Sequence, residues 1–177
     1  GSANAIPGHN IPMAIIGTFI LAFGWFGFNP GSTLAGTDLR ISVVAVNTMI
    51  ALATGAFAAT LWMWLVRTKK PDPSMMANGM LAGLVAITAP CAFVSVGSAA
   101  IIGLVSGILV IEAAFFVERK LRIDDPVGAV AVHGVNGLWG CLALGLFADG
   151  TYGDGWNGVA GPVKGLFYGD AGQFFAQ

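Results

Sequence analysis

No charged side chain interrupts the sequence from Ile11 to Asn29, and none interrupts it from Ile41 to Val66. A helix needs about 20 apolar residues to cross the roughly 30 Å hydrocarbon core of a bilayer. Lipid offers no partner for an unpaired backbone N–H or C=O, so runs of this kind leave a chain little choice beyond membrane-spanning helices. A third apolar stretch, Met75 to Val117, holds one charge, Glu112, and is about twice the length of a single crossing. It divides at Ser95-Val96-Gly97-Ser98, where serine supplies a cap and glycine a turn. The last run, Pro126 to Ala148, opens on a proline, which suits the first turn of a helix. The expected fold class is all-α and integral to the membrane, in one domain over residues 1–177. Its five spans are expected at about 11–29, 41–66, 75–95, 98–117 and 126–148, with 149–177 forming an outer loop and the start of a further helix.

Charge decides the orientation and excludes several functions. Only 10% of the residues are charged, against about a quarter in soluble domains. The 26 glycines suit helices whose backbones approach closely in lipid. A net charge of -1 with no basic patch excludes nucleic acid as a partner. Six of the eight basic residues fall in two loops, Arg67, Lys69 and Lys70 after the second span and Arg119, Lys120 and Arg122 after the fourth. Both loops lie on one side of a serial five-helix layout, and that side is cytoplasmic by the excess of Lys and Arg in cytoplasmic loops. The segment after Ala148 then faces outside. An odd number of crossings gives two joined copies opposite topologies, the arrangement of inverted-repeat transporters. Cys91 and Cys141 lack metal-knuckle or redox spacing, and no Ser-His-Asp, HExxH, GxxxxGK or GxGxxG pattern is present. No catalytic residue, metal site or cofactor is expected, and the chain does not read as an enzyme.

Four residues are candidates for handling a small substrate. His133 lies near the middle of the fifth span, and an ionisable group at membrane depth is a functional candidate by default. A neutral imidazole donating to a neighbouring carbonyl is the alternative, and both stand on the sequence alone. Gly134, Gly137 and Gly140 beside it predict a close helix contact. Trp25, Phe28 and Ser32 close the first span at i, i+3 and i+7, a spacing that places them on one stripe if the helix continues. Pro30 works against that continuation. Composition alone favours an interfacial aromatic belt here. Elsewhere, Asn10 is a cap candidate and Glu112 is expected to face a partner helix or reach the cytoplasmic surface. Asn47 and Asn136 read as interhelical hydrogen bonders, Asp124 and Asp125 as carboxylates at a helix N-terminus, and Pro90 as a kink with Thr88 beside it.

The motifs HNIPM from His9, GWFGFNPGS from Gly24, VNT from Val46, GMLAGLVAITAPC from Gly79 and DDPVGAVAVHGVNGLWG from Asp124 together resemble the ammonium transporter (Amt/Mep/Rh) family, in its Amt branch. The resemblance covers nearly the whole chain. It implies that the five spans correspond to the sixth to tenth of eleven helices, the second inverted repeat. It gives His133 the role of one of two pore histidines, Phe28 that of one of two stacked gating phenylalanines, and Ser32 that of a hydroxyl in an outer ammonium-recruitment site; the second histidine, the second phenylalanine and the tryptophan of that site belong to the family's first repeat. Some members carry an acid where Gly128 stands here. The resemblance further implies a plasma-membrane homotrimer moving ammonium or ammonia, and first-half helices supplied in cis or on another chain. It also implies a PII-type regulator meeting a C-terminal tail, which the sequence does not contain. Competing expectations are an ammonium-sensing receptor domain and a structural fragment without transport.

Overall fold

The computed structural model describes residues 6–151 and 161–177. Five long helices follow one another: α1 (Ile11–Phe28), α2 (Arg40–Trp62), α3 (Pro73–Thr88), α4 (Val96–Phe116) and α5 (Asn136–Phe147). A six-residue helix, α6 (Ala171–Ala176), follows near the end of the chain, where the start of a further helix is expected. Wider π turns extend α2 through Met63–Arg67 and α4 through Val117–Leu121, and another, Val130–Val135, precedes α5. With these extensions, four of the helices are long and apolar enough to cross a membrane. The expected outer loop falls partly on residues 152–160, outside those described; on either side of them Asp149 and Lys164 form an isolated antiparallel bridge.

Local chemistry accounts for the helix ends. Asn10 caps α1 by accepting from the Met13 N–H at 3.0 Å, with Pro12 in the first turn. Ser95 caps α4 by accepting from the Ser98 N–H at 3.2 Å, as the Ser-Val-Gly-Ser break leads one to expect. Asp72 does the same for α3 through the N–H groups of Ser74 and Met75. Each side-chain oxygen satisfies a donor that the helix cannot pair internally.

Helix α2 packs against both α3 and α4, and these three form the centre of the structure. Small residues make this possible. A Cβ added at Gly83 or Gly103 would collide with the Ala51 carbonyl, at Gly55 with the Gly79 carbonyl, and at Gly107 with the Gly55 carbonyl. Backbone therefore meets backbone, the close approach that drives association where lipid is as apolar as the side chains. Among the glycines beside His133, only Gly140 makes such a contact, facing the Ala86 carbonyl; Gly134 and Gly137 have room for a side chain.

The third span departs from expectation. α3 ends at Thr88 rather than running to residue 95, and its 16 residues rise only about 24 Å. Pro90 is the cause: it has no N–H to return to the Ala86 carbonyl, although Ala89 before it keeps helical dihedrals. The chain continues as turns to Ser95 with Cys91, Ala92 and Val94 buried. Irregular backbone is tolerated at such depth only where protein covers it. Asn47 in α2, itself fully buried, donates through Nδ2 to the carbonyls of Cys91 at 2.9 Å and Val94 at 2.8 Å. Asn47 thus bridges α2 to this turn, as an interhelical role requires. Asn136 does not play that part: its Nδ2 donates at 2.8 Å to Ala131 in its own π turn, whose wider winding frees that carbonyl.

The fifth span also starts later than expected. Pro126 lies not in a helix but in a turn closed by the Gly128 N–H on the Asp125 carbonyl at 2.9 Å. Gly128 has φ of 71°, a conformation that favours glycine. The buried Asp125 carboxylate then accepts from the N–H groups of Val130 and Ala131. It acts as the cap of this segment, the place at a helix start where a carboxylate is favoured.

Candidate functional site

The C-terminal end of α1 gathers three of the four candidates. Trp25 and Phe28 sit one turn apart, and their rings meet edge to face at 89° with centroids 6.2 Å apart. The Phe28 ring is otherwise largely open, the residue being 58% exposed. Helix α1 stops at Phe28, and the tight turn Pro30–Thr33 follows it. Ser32 therefore lies off the helical stripe that the i, i+3, i+7 spacing describes, because Pro30 ends the α-helix. The turn nevertheless folds Ser32 back: its hydroxyl donates to the Phe28 carbonyl at 2.5 Å. With its proton engaged, the Ser32 oxygen can meet a passing cation only as an acceptor.

Trp25 is half-buried and reaches from α1 to α3. Its indole N–H donates to the Thr88 hydroxyl, at the end of α3, at 2.9 Å. The ring packs beside Ala22, Met80 and Leu84. Asn29, the residue after Phe28, is buried and donates through Nδ2 to Thr48 of α2 at 3.2 Å. The aromatic end of α1 is thus tied to α2 and α3 by one hydrogen bond each.

His133 sits apart from these three, in the π turn before α5, on a helix that packs against α3. π turns interrupt the regular ladder and are frequent at functional sites. The imidazole is exposed, and among the described residues nothing hydrogen-bonds to it. The carbonyl partner that an inert histidine would use is therefore not found. α3 is the helix that contacts both α1 and α5, so it links the aromatic end and the histidine.

At the other end of the bundle, Glu112 of α4 faces the end of α2. Arg67 pairs with it, donating through Nε to Oε1 at 2.8 Å and through its terminal nitrogen to Oε2. The Trp62 indole N–H donates to the same carboxylate at 2.6 Å. The Phe115 ring lies beneath the guanidinium groups of both Arg67 and Arg119, 5.1 Å and 4.4 Å from its centroid. Among the described residues no group of three His, Cys, Asp or Glu side chains is placed to hold a metal ion.

The sequence signals Thr88 only as a residue before a proline kink, and nothing in the spacing marks it as the partner of Trp25. The Arg67–Glu112–Trp62 cluster is equally silent, because Glu112 lies 45 positions from Arg67 and 50 from Trp62.

These helices define a multi-pass membrane chain whose polar groups gather at the C-terminal end of α1 and in the turn before α5. The chain belongs to the Ammonium Transporter Family, whose model matches residues 1–177. It is 51% identical to the ammonium transporter Amt2 of Archaeoglobus fulgidus, over 100% of this chain and 37% of that protein. Among solved structures, a sensor Amt protein superposes with a TM-score of 0.81 at 46% identity, covering 89% of this chain and 38% of that one. Mep2 of Candida albicans superposes with a TM-score of 0.84 at 32% identity, covering 99% of this chain and 38% of that one. The chain spans little more than a third of the length of the relatives it matches.

Proposed function

We propose that these helices form the second-half repeat of an ammonium transporter in the plasma membrane. Ammonium is recruited outside at Trp25, Phe28 and Ser32 and gives up a proton there. Ammonia then crosses an apolar pore past His133. The first-half helices complete the pathway, in cis or on another chain, and the assembly is a homotrimer. A PII-type regulator meets a C-terminal tail beyond the residues described.

The observation that carries this reading is the pairing of an open aromatic face with a hydroxyl restricted to accepting, both at the end of α1. Cation–π attraction contributes about 0.5 to 2 kcal/mol, and a directional acceptor suits a cation that donates hydrogen bonds. Potassium has a similar size but neither donates hydrogen bonds nor releases a proton, so a pore for the neutral species excludes it. An exposed imidazole with no hydrogen-bond partner among the described residues supports a role for His133 toward whatever passes.

The test is ammonium flux and selectivity over potassium in the full-length protein carrying His133→Ala, with methylammonium uptake in Phe28→Ala. Altered selectivity or flux with the fold retained is expected for the first, and changed uptake kinetics or a leak for the second. Parental behaviour in both would overturn the reading. A second reading, ammonium sensing, is favoured by the likeness to a sensor Amt protein. It requires ligand binding without flux.

A further inference from the structure

We propose that Thr88 is a positioning residue that fixes the Phe28 ring through Trp25. The inference rests on the reading of Phe28 as the outer gate. Its starting point is the early end of α3, which leaves Thr88 on the last helical turn, where its side chain meets α1. The hydroxyl proton goes to the Leu84 carbonyl at 2.8 Å. That bond fixes the hydroxyl and turns its lone pairs to the Trp25 indole N–H, which donates at 2.9 Å.

An indole held by its N–H at one edge and packed against Ala22, Met80 and Leu84 is restrained in its orientation. Phe28 lacks such anchors. Among the described residues its ring partner is Trp25, in the edge-to-face contact already noted. A ring more than half exposed and steered by a single aromatic neighbour takes its position from that neighbour. Thr88 therefore acts on the gate at second hand, through a bond that only a hydroxyl at this point can accept.

The experiment measures the concentration dependence of methylammonium uptake in the full-length protein for Thr88→Val, Thr88→Ser, Trp25→Phe and the double variant Trp25→Phe with Thr88→Val, with Phe28→Ala alongside. Valine keeps the shape of threonine and removes the acceptor, serine keeps the acceptor, and phenylalanine removes the donor. One lost hydrogen bond corresponds to about a five- to tenfold change in a population ratio. Half-saturation is expected to shift by that factor in Thr88→Val, with the maximal rate changing far less. Thr88→Ser is expected to restore it, and the double variant to go no further than either single change, since both remove the same bond.

If Phe28→Ala changes uptake while Thr88→Val and Trp25→Phe behave as the parent, the gate stands and the positioning role falls. Additive effects in the double variant would overturn it too. Parental uptake in Phe28→Ala would remove the gate and the inference together. Should Thr88→Val fail to fold, the smaller Thr88→Ala, which also removes the acceptor, answers the same question.

Discussion

Replacing Asn47 by leucine tests how the interrupted third span is held. Asn47 is fully buried, and its one amide nitrogen serves two carbonyls, those of Cys91 and Val94, in a turn that no helix ladder satisfies. Leucine keeps the branched shape, with bulkier methyl groups, and leaves both carbonyls without a donor. A net hydrogen bond contributes about 1 kcal/mol, and a buried group left unpaired costs about 1–3 kcal/mol. Interhelical bonds in membrane proteins average only about 0.6 kcal/mol and reach about 1.7 kcal/mol, because the unfolded state in lipid also finds partners. Two bonds on those terms give a loss of roughly 1–4 kcal/mol, with about 2 kcal/mol the central expectation. The assay is equilibrium unfolding of the full-length protein in mixed micelles, parent against Asn47→Leu, with amide exchange of residues 89–95 as the local readout. A loss under about 0.5 kcal/mol with unchanged exchange in that segment would refute the bridging role.

Three further outcomes follow from the packing. Gly83→Leu drives a side chain into the Ala51 backbone, which cannot yield as a flexible side chain can. A loss of about 3 kcal/mol or more, or failure to assemble, is expected on size-exclusion chromatography and thermal unfolding. Gly128→Asp places a side chain at φ of 71° with its Cβ 2.8 Å from Asn78 Nδ2; a loss of about 1–3 kcal/mol is expected, relieved in part by Asn78→Ala. Glu112→Gln removes the Arg67 ion pair while keeping an acceptor for Trp62. Its side chains are 34% and 38% exposed, so the cost in thermal unfolding is expected to be about 1 kcal/mol or less.

How much of this was legible in the sequence depended on whether the cause was local. Asn10 and Ser95 could be read as caps because a capping side chain lies within a few residues of the N–H it serves. The charge-free runs placed the helices, and the basic loops gave them a common side. The boundaries of α3 and α5 were misplaced because apolar composition continues past Thr88 and begins before Val130, whereas backbone hydrogen bonding does not. Pro90 was visible as a kink, but not the full stop it produces, which depends on Asn47 reaching across from α2. Of the glycines beside His133 only Gly140 is in close contact, a difference between neighbouring helical positions that spacing does not record. Trp25 was expected at a lipid interface on composition alone, and its link to Thr88, 63 positions away, is a tertiary fact that no spacing records. For Glu112 the expectation of a partner helix was correct, and the identity of that partner came only from the fold.

The most direct measurement of the central claim is the response to an ammonium pulse of proteoliposomes holding the full-length protein with these helices, with potassium as the control ion. An ammonium-specific flux that His133→Ala alters is the expected result. Ammonium binding without flux in a folded, oligomeric sample would contradict the transport reading and leave the sensing one.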